Sequence, residues 1–206
     1  MLKAGLTGGY ASGKSFVAAE LERLGCHLLY ADQLGHAVLQ PGGAAYQPTI
    51  DLFGSEILAP GGAIDRQALA SIVFASGELL ASLNAIVHPA VFELEEKMLQ
   101  EFETQDPRGV AVLEAAILIE TGRYRACDKL ILTACSLETQ VMRGLKRDRL
   151  TREQVLARIE KQMPLEQKKA FADYVVDTDG PKEDTLIQVR RIFVELQTLA
   201  RESPHA

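Results

Sequence analysis

No apolar run in this 206-residue chain reaches the length needed to span a bilayer, and its N-terminus lacks the charged, apolar, small-residue order of a secretory leader. We therefore expect a cytoplasmic protein with no membrane partner. Cysteine is scarce. Cys26, Cys127 and Cys135 are the only three, and none forms a C-x-x-C pair, so neither a disulfide framework nor a cysteine zinc site is expected. Positive charge is in deficit. With 22 Lys and Arg against 28 Asp and Glu, the net charge is −6, which argues against nonspecific nucleic-acid binding. No internal repeat and no low-complexity segment is present, which excludes a solenoid.

What the chain does have is hydrophobic residues, 47% of the total, enough for a full core. It also has one conspicuous loop. "GGYASGKSF", residues 8 to 16, matches G-x-x-x-x-G-K-[ST] at Gly8, Gly13, Lys14 and Ser15. The short apolar stretch Leu2 to Thr7 before it reads as a buried strand. Phe16, Val17, Leu21 and Leu24 after it recur at helical spacing, with Gly25 as a stop. Glycine lets successive N–H groups turn inward around an anion, and a helix N-terminus adds its own free N–H groups. Lys14 is placed to reach β- and γ-phosphates, and the Ser15 hydroxyl to ligate Mg²⁺. A nucleoside triphosphate is the expected ligand.

Five segments read as strands: 2–7, 27–31, 110–115, 129–134 and 174–177. Helical patterns separate most of them, which implies an α/β fold with a parallel sheet covered on both faces and ligands at the C-terminal strand ends. Residues 33–108 contain no convincing strand and read as a helical insertion. Residues 136–171 are helical and basic, with Thr151 and Gln154 in a capping-box pattern. The tail spaces Leu186, Val189, Phe193 and Leu196 as a last helix packed on the sheet.

Several residues have both a plain and a chemical reading. Asp32 follows the second strand, as a helix N-cap or as a carboxylate that takes a proton from an acceptor hydroxyl and helps hold Mg²⁺. Glu114 ends the third strand, where a polar residue leaving the core is the plainer reading. Arg143, Lys146 and Arg147 share one helix face, and Arg158 and Lys161 extend the basic region. Such a face is ordinarily solvated, yet a mobile basic helix can close over phosphates. His88–Pro89 fits a helix start, and Arg66 reads as a helix-start residue unless a substrate anion lies near.

The motifs "GLTGG" with "SGKS", "AD" (31–32), "FGSEIL" (53–58), "GAIDRQAL" (62–69), "HPAV" (88–91), "RIEKQMP" (158–164) and "ADYVVD" (172–177) resemble the dephospho-coenzyme A kinase family nearly end to end. The resemblance implies ATP-dependent phosphorylation of the ribose 3′-hydroxyl of dephospho-CoA, with Mg²⁺, on a three-layer P-loop kinase fold. It implies a nucleotide-binding core (1–32, 109–135 and 172–206), a helical acceptor-binding region (33–108) and a lid (136–171). By the family's pattern Asp32 is the base and the candidate second metal ligand after Ser15. Lys14, Arg143 and Arg147 serve the phosphates. Gly8, Gly9, Ala11, Ser12, Gly13, Lys14, Ser15 and Phe16 form the ATP loop, with Thr178 and Gly180 at the adenine. Arg66, His88, Leu118 and Glu120 fall to the acceptor. A monomer or weak homo-oligomer is expected, with ATP and dephospho-CoA as partners and no nucleic acid.

The chain departs from the family's usual pattern at four places. Tyr30 stands where members mostly have the first Asp of D-A-D. Phe16 replaces a Thr. "EAAILIE" (114–120) replaces "DIPLLFE", and Thr178–Asp179 stand where Asn is common. Another small-molecule kinase, acting on a nucleotide or nucleoside, is the nearest alternative. A GTPase has only weak D-x-x-G matches in "DLFG" and "DTDG" and no N-K-x-D motif. A noncatalytic ATP-binding regulator is the third.

Overall fold

The structure is a computed structural model that describes residues 1–202. Strand β1 (Leu2–Gly8) leads through the glycine loop into α1 (Lys14–Arg23), and β2 (His27–Tyr30) follows. Next come α2 (Ala31–Ala37), α3 (Tyr46–Phe53), α4 (Arg66–Val73) and the long α5 (Gly77–Gln105). The chain then alternates again: β3 (Val110–Glu114), β4 (Lys129–Ala134), three helices α6 (Leu137–Asp148), α7 (Arg152–Glu160) and α8 (Leu165–Lys169), then β5 (Tyr174–Asp177) and α9 (Lys182–Glu202).

The strands form a five-stranded parallel sheet in the order β2-β3-β1-β4-β5. Strand β1 lies at the centre, where the order reverses, so the loop after it opens at the switch point of the sheet. Leu6, Val112 and Leu132 on the three central strands are fully buried. That explains why these strands read as apolar runs rather than alternations. Helix α9 turns Val189, Phe193 and Leu196 inward, as their spacing predicts. It packs along α1, where Glu20 accepts from Arg190 at 3.0 Å and from Arg23 at 2.7 Å. Those cations hold the Glu20 carboxyl down at about 2 against the cost of burial.

The chain divides into two compact units: residues 1–29 with 102–206, and residues 30–101. The segment 136–171 lies within the first. The second is built around Phe53, Ile57, Leu69 and Val73, and its one pairing of extended residues is an isolated bridge between Leu58 and Ile64.

Two local expectations need correction. The pair His88–Pro89 does not start a helix, because α5 runs through it with Pro89 in the interior. Proline removes the hydrogen bond to the carbonyl four residues earlier, that of Ala85. Both residues are exposed, so water can serve instead. Asp32 is not a helix cap either. Tyr30, in an extended conformation, is the N-cap of α2, and Asp32 sits in its first turn.

Candidate nucleotide-binding site

The loop between β1 and α1 is shaped by two backbone requirements. Gly13, the N-cap of α1, has φ 88°, a conformation that costs a side chain dearly. Gly8 is crowded, since a Cβ there would stand 2.1 Å from Thr133 Oγ1. Ala11 also lies in the left-handed region, with φ 54°, a strained position for a residue with a Cβ.

Side chains then lock the loop. Ser12 Oγ donates to the Gly9 carbonyl at 2.8 Å and shares a hydrogen bond of the same length with Thr133 Oγ1. Thr178 Oγ1 donates to the Ser12 carbonyl at 2.9 Å, tying the residue after β5 to the loop. The Arg143 guanidinium grips Thr178 in turn, with Nη1 at 3.0 Å from its hydroxyl and Nη2 on its carbonyl. Lys14 Nζ donates to the Gly9 carbonyl at 3.1 Å. The centroid of the Phe16 ring lies 5.4 Å from the ammonium of Lys182. Ser15 is exposed in the first turn of α1, and among the described residues its hydroxyl has no partner.

The structure thus brings Gly8, Gly9, Ala11, Ser12, Gly13, Lys14, Arg143 and Thr178 into one connected set, with Ser15 and Phe16 on the same helix start. Gly180 is exposed two residues beyond Thr178. Asp179 accepts from the Ser136 amide at 2.7 Å, and hydrogen bonds from Thr139 and Ser136 hold its carboxyl below the ordinary value. Arg147 pairs with Asp148 at 2.7 Å.

The acceptor candidates are scattered. Arg66 is exposed at the start of α4, whose cap is Asp65. His88 is exposed in α5 and stacks on Phe92, 6.0 Å between centroids. Leu118 has no exposed surface, so its side chain is core and faces no ligand in this conformation. Glu120 pairs with Lys168 at 2.8 Å and accepts from the Met163 amide at 3.1 Å. Burial pushes the Glu120 carboxyl up, but these hydrogen bonds outweigh it and hold the group below its usual range.

Lys168 was not legible as a special residue in the sequence, where "EQKK" reads as a solvated run. It is fully buried, and its Nζ also donates to the Ala116 carbonyl at 2.9 Å. The pair fastens α8 to the loop after β3. Of the thiols, Cys26 is pushed up to about 12 by burial and stays protonated and inert. Among the described residues no cluster of three or more His, Cys, Asp or Glu can hold a metal ion, and no helix is long and apolar enough to cross a membrane.

A parallel sheet whose central strand runs into this loop, with arginines on the helix after β4, defines a P-loop kinase fold. A dephospho-CoA kinase of Geobacter sulfurreducens is 42% identical over 191 residues, which are 93% of this chain and 96% of that one. The sequence model of the dephospho-CoA kinase family matches residues 2–184, and the chain belongs to that family. Among solved structures, a Thermus thermophilus protein superposes with a TM-score of 0.82 at 33% identity, covering 98% of both chains. A dephospho-CoA kinase from Campylobacter jejuni superposes with a TM-score of 0.73 at 23% identity, covering 95% of this chain and 97% of that one. At that identity it speaks for the fold alone.

Proposed function

We propose that the chain transfers the γ-phosphoryl group of ATP to the ribose 3′-hydroxyl of dephospho-CoA, with Asp32 as the base. The observation that carries the reading is the locked loop around Lys14 in a chain that matches the dephospho-CoA kinase family over most of its length. The hydroxyl oxygen attacks the γ-phosphorus, the bond to the β,γ-bridging oxygen breaks, and ADP leaves. The hydroxyl proton passes to the Asp32 carboxylate, which is exposed and, among the described residues, unrestrained by a hydrogen bond or ion pair. Backbone amides of the loop and of the start of α1, with the Lys14 ammonium, take the phosphate charge. Arg143 and Arg147 meet the charge that spreads over the transferring group.

Mg²⁺ accompanies ATP in this reading. Ser15 fits it, since the residue is exposed and its hydroxyl has no partner among the described residues. No cage of carboxylates is required, because Mg²⁺ keeps waters and phosphate oxygens as its other ligands, with Asp32 as the second candidate on the protein. When bound, the ion would neutralise phosphate charge. The remaining work falls to the loop, the arginines and the base.

The test sets ATP consumption against dephospho-CoA, nucleoside monophosphates and no acceptor, for wild type and Asp32→Asn. Wild type is expected to respond to dephospho-CoA alone. Asp32→Asn keeps the shape but cannot accept the proton, so turnover falls by about 10²–10⁴-fold while ATP affinity changes little. Wild-type turnover in Asp32→Asn would remove the base. A response confined to a nucleoside monophosphate would favour the other kinase class.

A further inference from the structure

The phosphate loop carries one side chain that holding phosphate does not require. Tyr10 follows the glycine pair, and its ring is buried against Val141 of α6 and Val155 of α7. Gly144 leaves room for it, since a Cβ there would stand 2.7 Å from the ring. The Tyr10 hydroxyl donates to the Asp148 carboxylate. The same carboxylate accepts Arg147 Nε at 2.7 Å, Arg147 Nη2 at 3.0 Å and Arg158 Nη1 at 3.4 Å. Both guanidinium groups also stand over the Tyr10 ring, with the Arg147 carbon 5.1 Å and the Arg158 carbon 6.0 Å from its centroid. One aromatic side chain of the loop therefore meets all three charged members of the cluster on the basic helices, Arg147, Asp148 and Arg158.

The chemistry of the cluster favours holding over hiding. A guanidinium has five N–H donors in a rigid fork, and Asp148 engages two of those on Arg147. The Arg147 side chain stays 60% exposed, so a ligand can reach it. A free arginine chain samples many rotamers, whereas this one is fixed on one edge by a carboxylate and on one face by a ring.

We propose that Tyr10 is a positioning residue that, through Asp148, holds Arg147 over the phosphate loop with its remaining donors available to the transferring phosphoryl group. This rests on the proposed kinase reaction. It adds a link from the loop that grips ATP to the arginine that meets the transition state, so that Arg147 is in place before the substrates arrive.

The experiment is a double-mutant cycle on CoA formation. Tyr10→Phe keeps the ring in its pocket and removes only the hydroxyl. It is expected to lower kcat about tenfold or more, the effect of losing one hydrogen bond to a charged group, with KM for ATP nearly unchanged. In an Arg147→Ala background the same substitution is expected to have no further effect, because the group it positions is gone. Asp148→Asn, run in the same cycle, gives a second reading should Tyr10→Phe fold poorly. An unchanged or raised kcat in both variants, or the same loss with and without Arg147, would overturn the proposal. Absence of CoA formation by wild type would instead strike the kinase reading itself, so the two failures are distinct.

Discussion

Lys14, Arg143 and Arg147, in the unit that carries the sheet, each rest on named partners. They are the Gly9 carbonyl, Thr178 and Asp148. Asp32, Arg66 and His88, in the helical unit, stand exposed; among the described residues His88 stacks on the ring of Phe92, and the other two make no side-chain hydrogen bond or ion pair. The first arrangement is preorganised. Its hydrogen bonds are made within the chain: a bound triphosphate would draw Lys14 from the Gly9 carbonyl, while Arg147 would keep Asp148 and offer its remaining donors. The second carries charge at the surface, where it contributes little to stability and acquires an orientation only from a ligand. Substitutions in the first unit should therefore touch folding and turnover together or separately, according to burial. Substitutions at Asp32 or Arg66 should touch turnover alone.

The largest expected effect lies at the lysine of the loop. Lys14→Ala removes the one cation of the loop itself, and turnover should fall by about 10³-fold or more while the melting temperature stays within a few degrees of wild type. Near-normal activity in a folded variant would break the phosphate-loop assignment and with it the contrast between the units.

Next comes the Lys168–Glu120 pair, in which Lys168 is the fully buried member. Glu120→Leu leaves the buried Lys168 ammonium without its carboxylate, and stranding a buried charge costs about 3–5 kcal/mol, visible as a lower midpoint in urea. The double variant Lys168→Met/Glu120→Leu should recover much of that loss, because it leaves no charge stranded. If the single variant unfolds at the wild-type midpoint, the pair is not a fastening.

A smaller effect is expected at Glu20. Its carboxyl is held at about 2 by Arg23 and Arg190, below the ordinary carboxylate value. A depressed folded pKa gives stability that is full above the unfolded value, near 4.5, and is lost as pH falls toward 2. Glu20→Gln should cost about 1.5–3 kcal/mol at pH 7 and flatten the acid side of the stability curve. An unchanged urea midpoint at pH 7, with the same loss below pH 4.5 as wild type, would remove Glu20 from the α1–α9 contact.

The elements that sequence reasoning located are those with a local cause. All five strands were legible because each is a short apolar run beside a turn signal, and β4 and β5 agree with the expectation to the residue. The phosphate loop was legible because its glycines and Lys14 fall within a few residues of one another. The capping box at Thr151 and Gln154 formed for the same reason. Pro89 misled because proline favours both a first turn and a tolerated interior site, and only the exposure of Ala85 separates them. Tyr10 with Asp148, and Lys168 with Glu120, lie 138 and 48 residues apart, so no pattern along the chain announces them. The resemblance gave Leu118 to the acceptor, and its side chain lies in the core.

The central claim is the acceptor and the position phosphorylated on it. Wild-type protein, ATP, Mg²⁺ and dephospho-CoA should give a product one phosphoryl group heavier by mass spectrometry, with phosphorus–proton coupling that places the new phosphate on the ribose 3′-oxygen. A phosphate on the 2′-oxygen, or ADP release with no phosphorylated dephospho-CoA, would contradict the account.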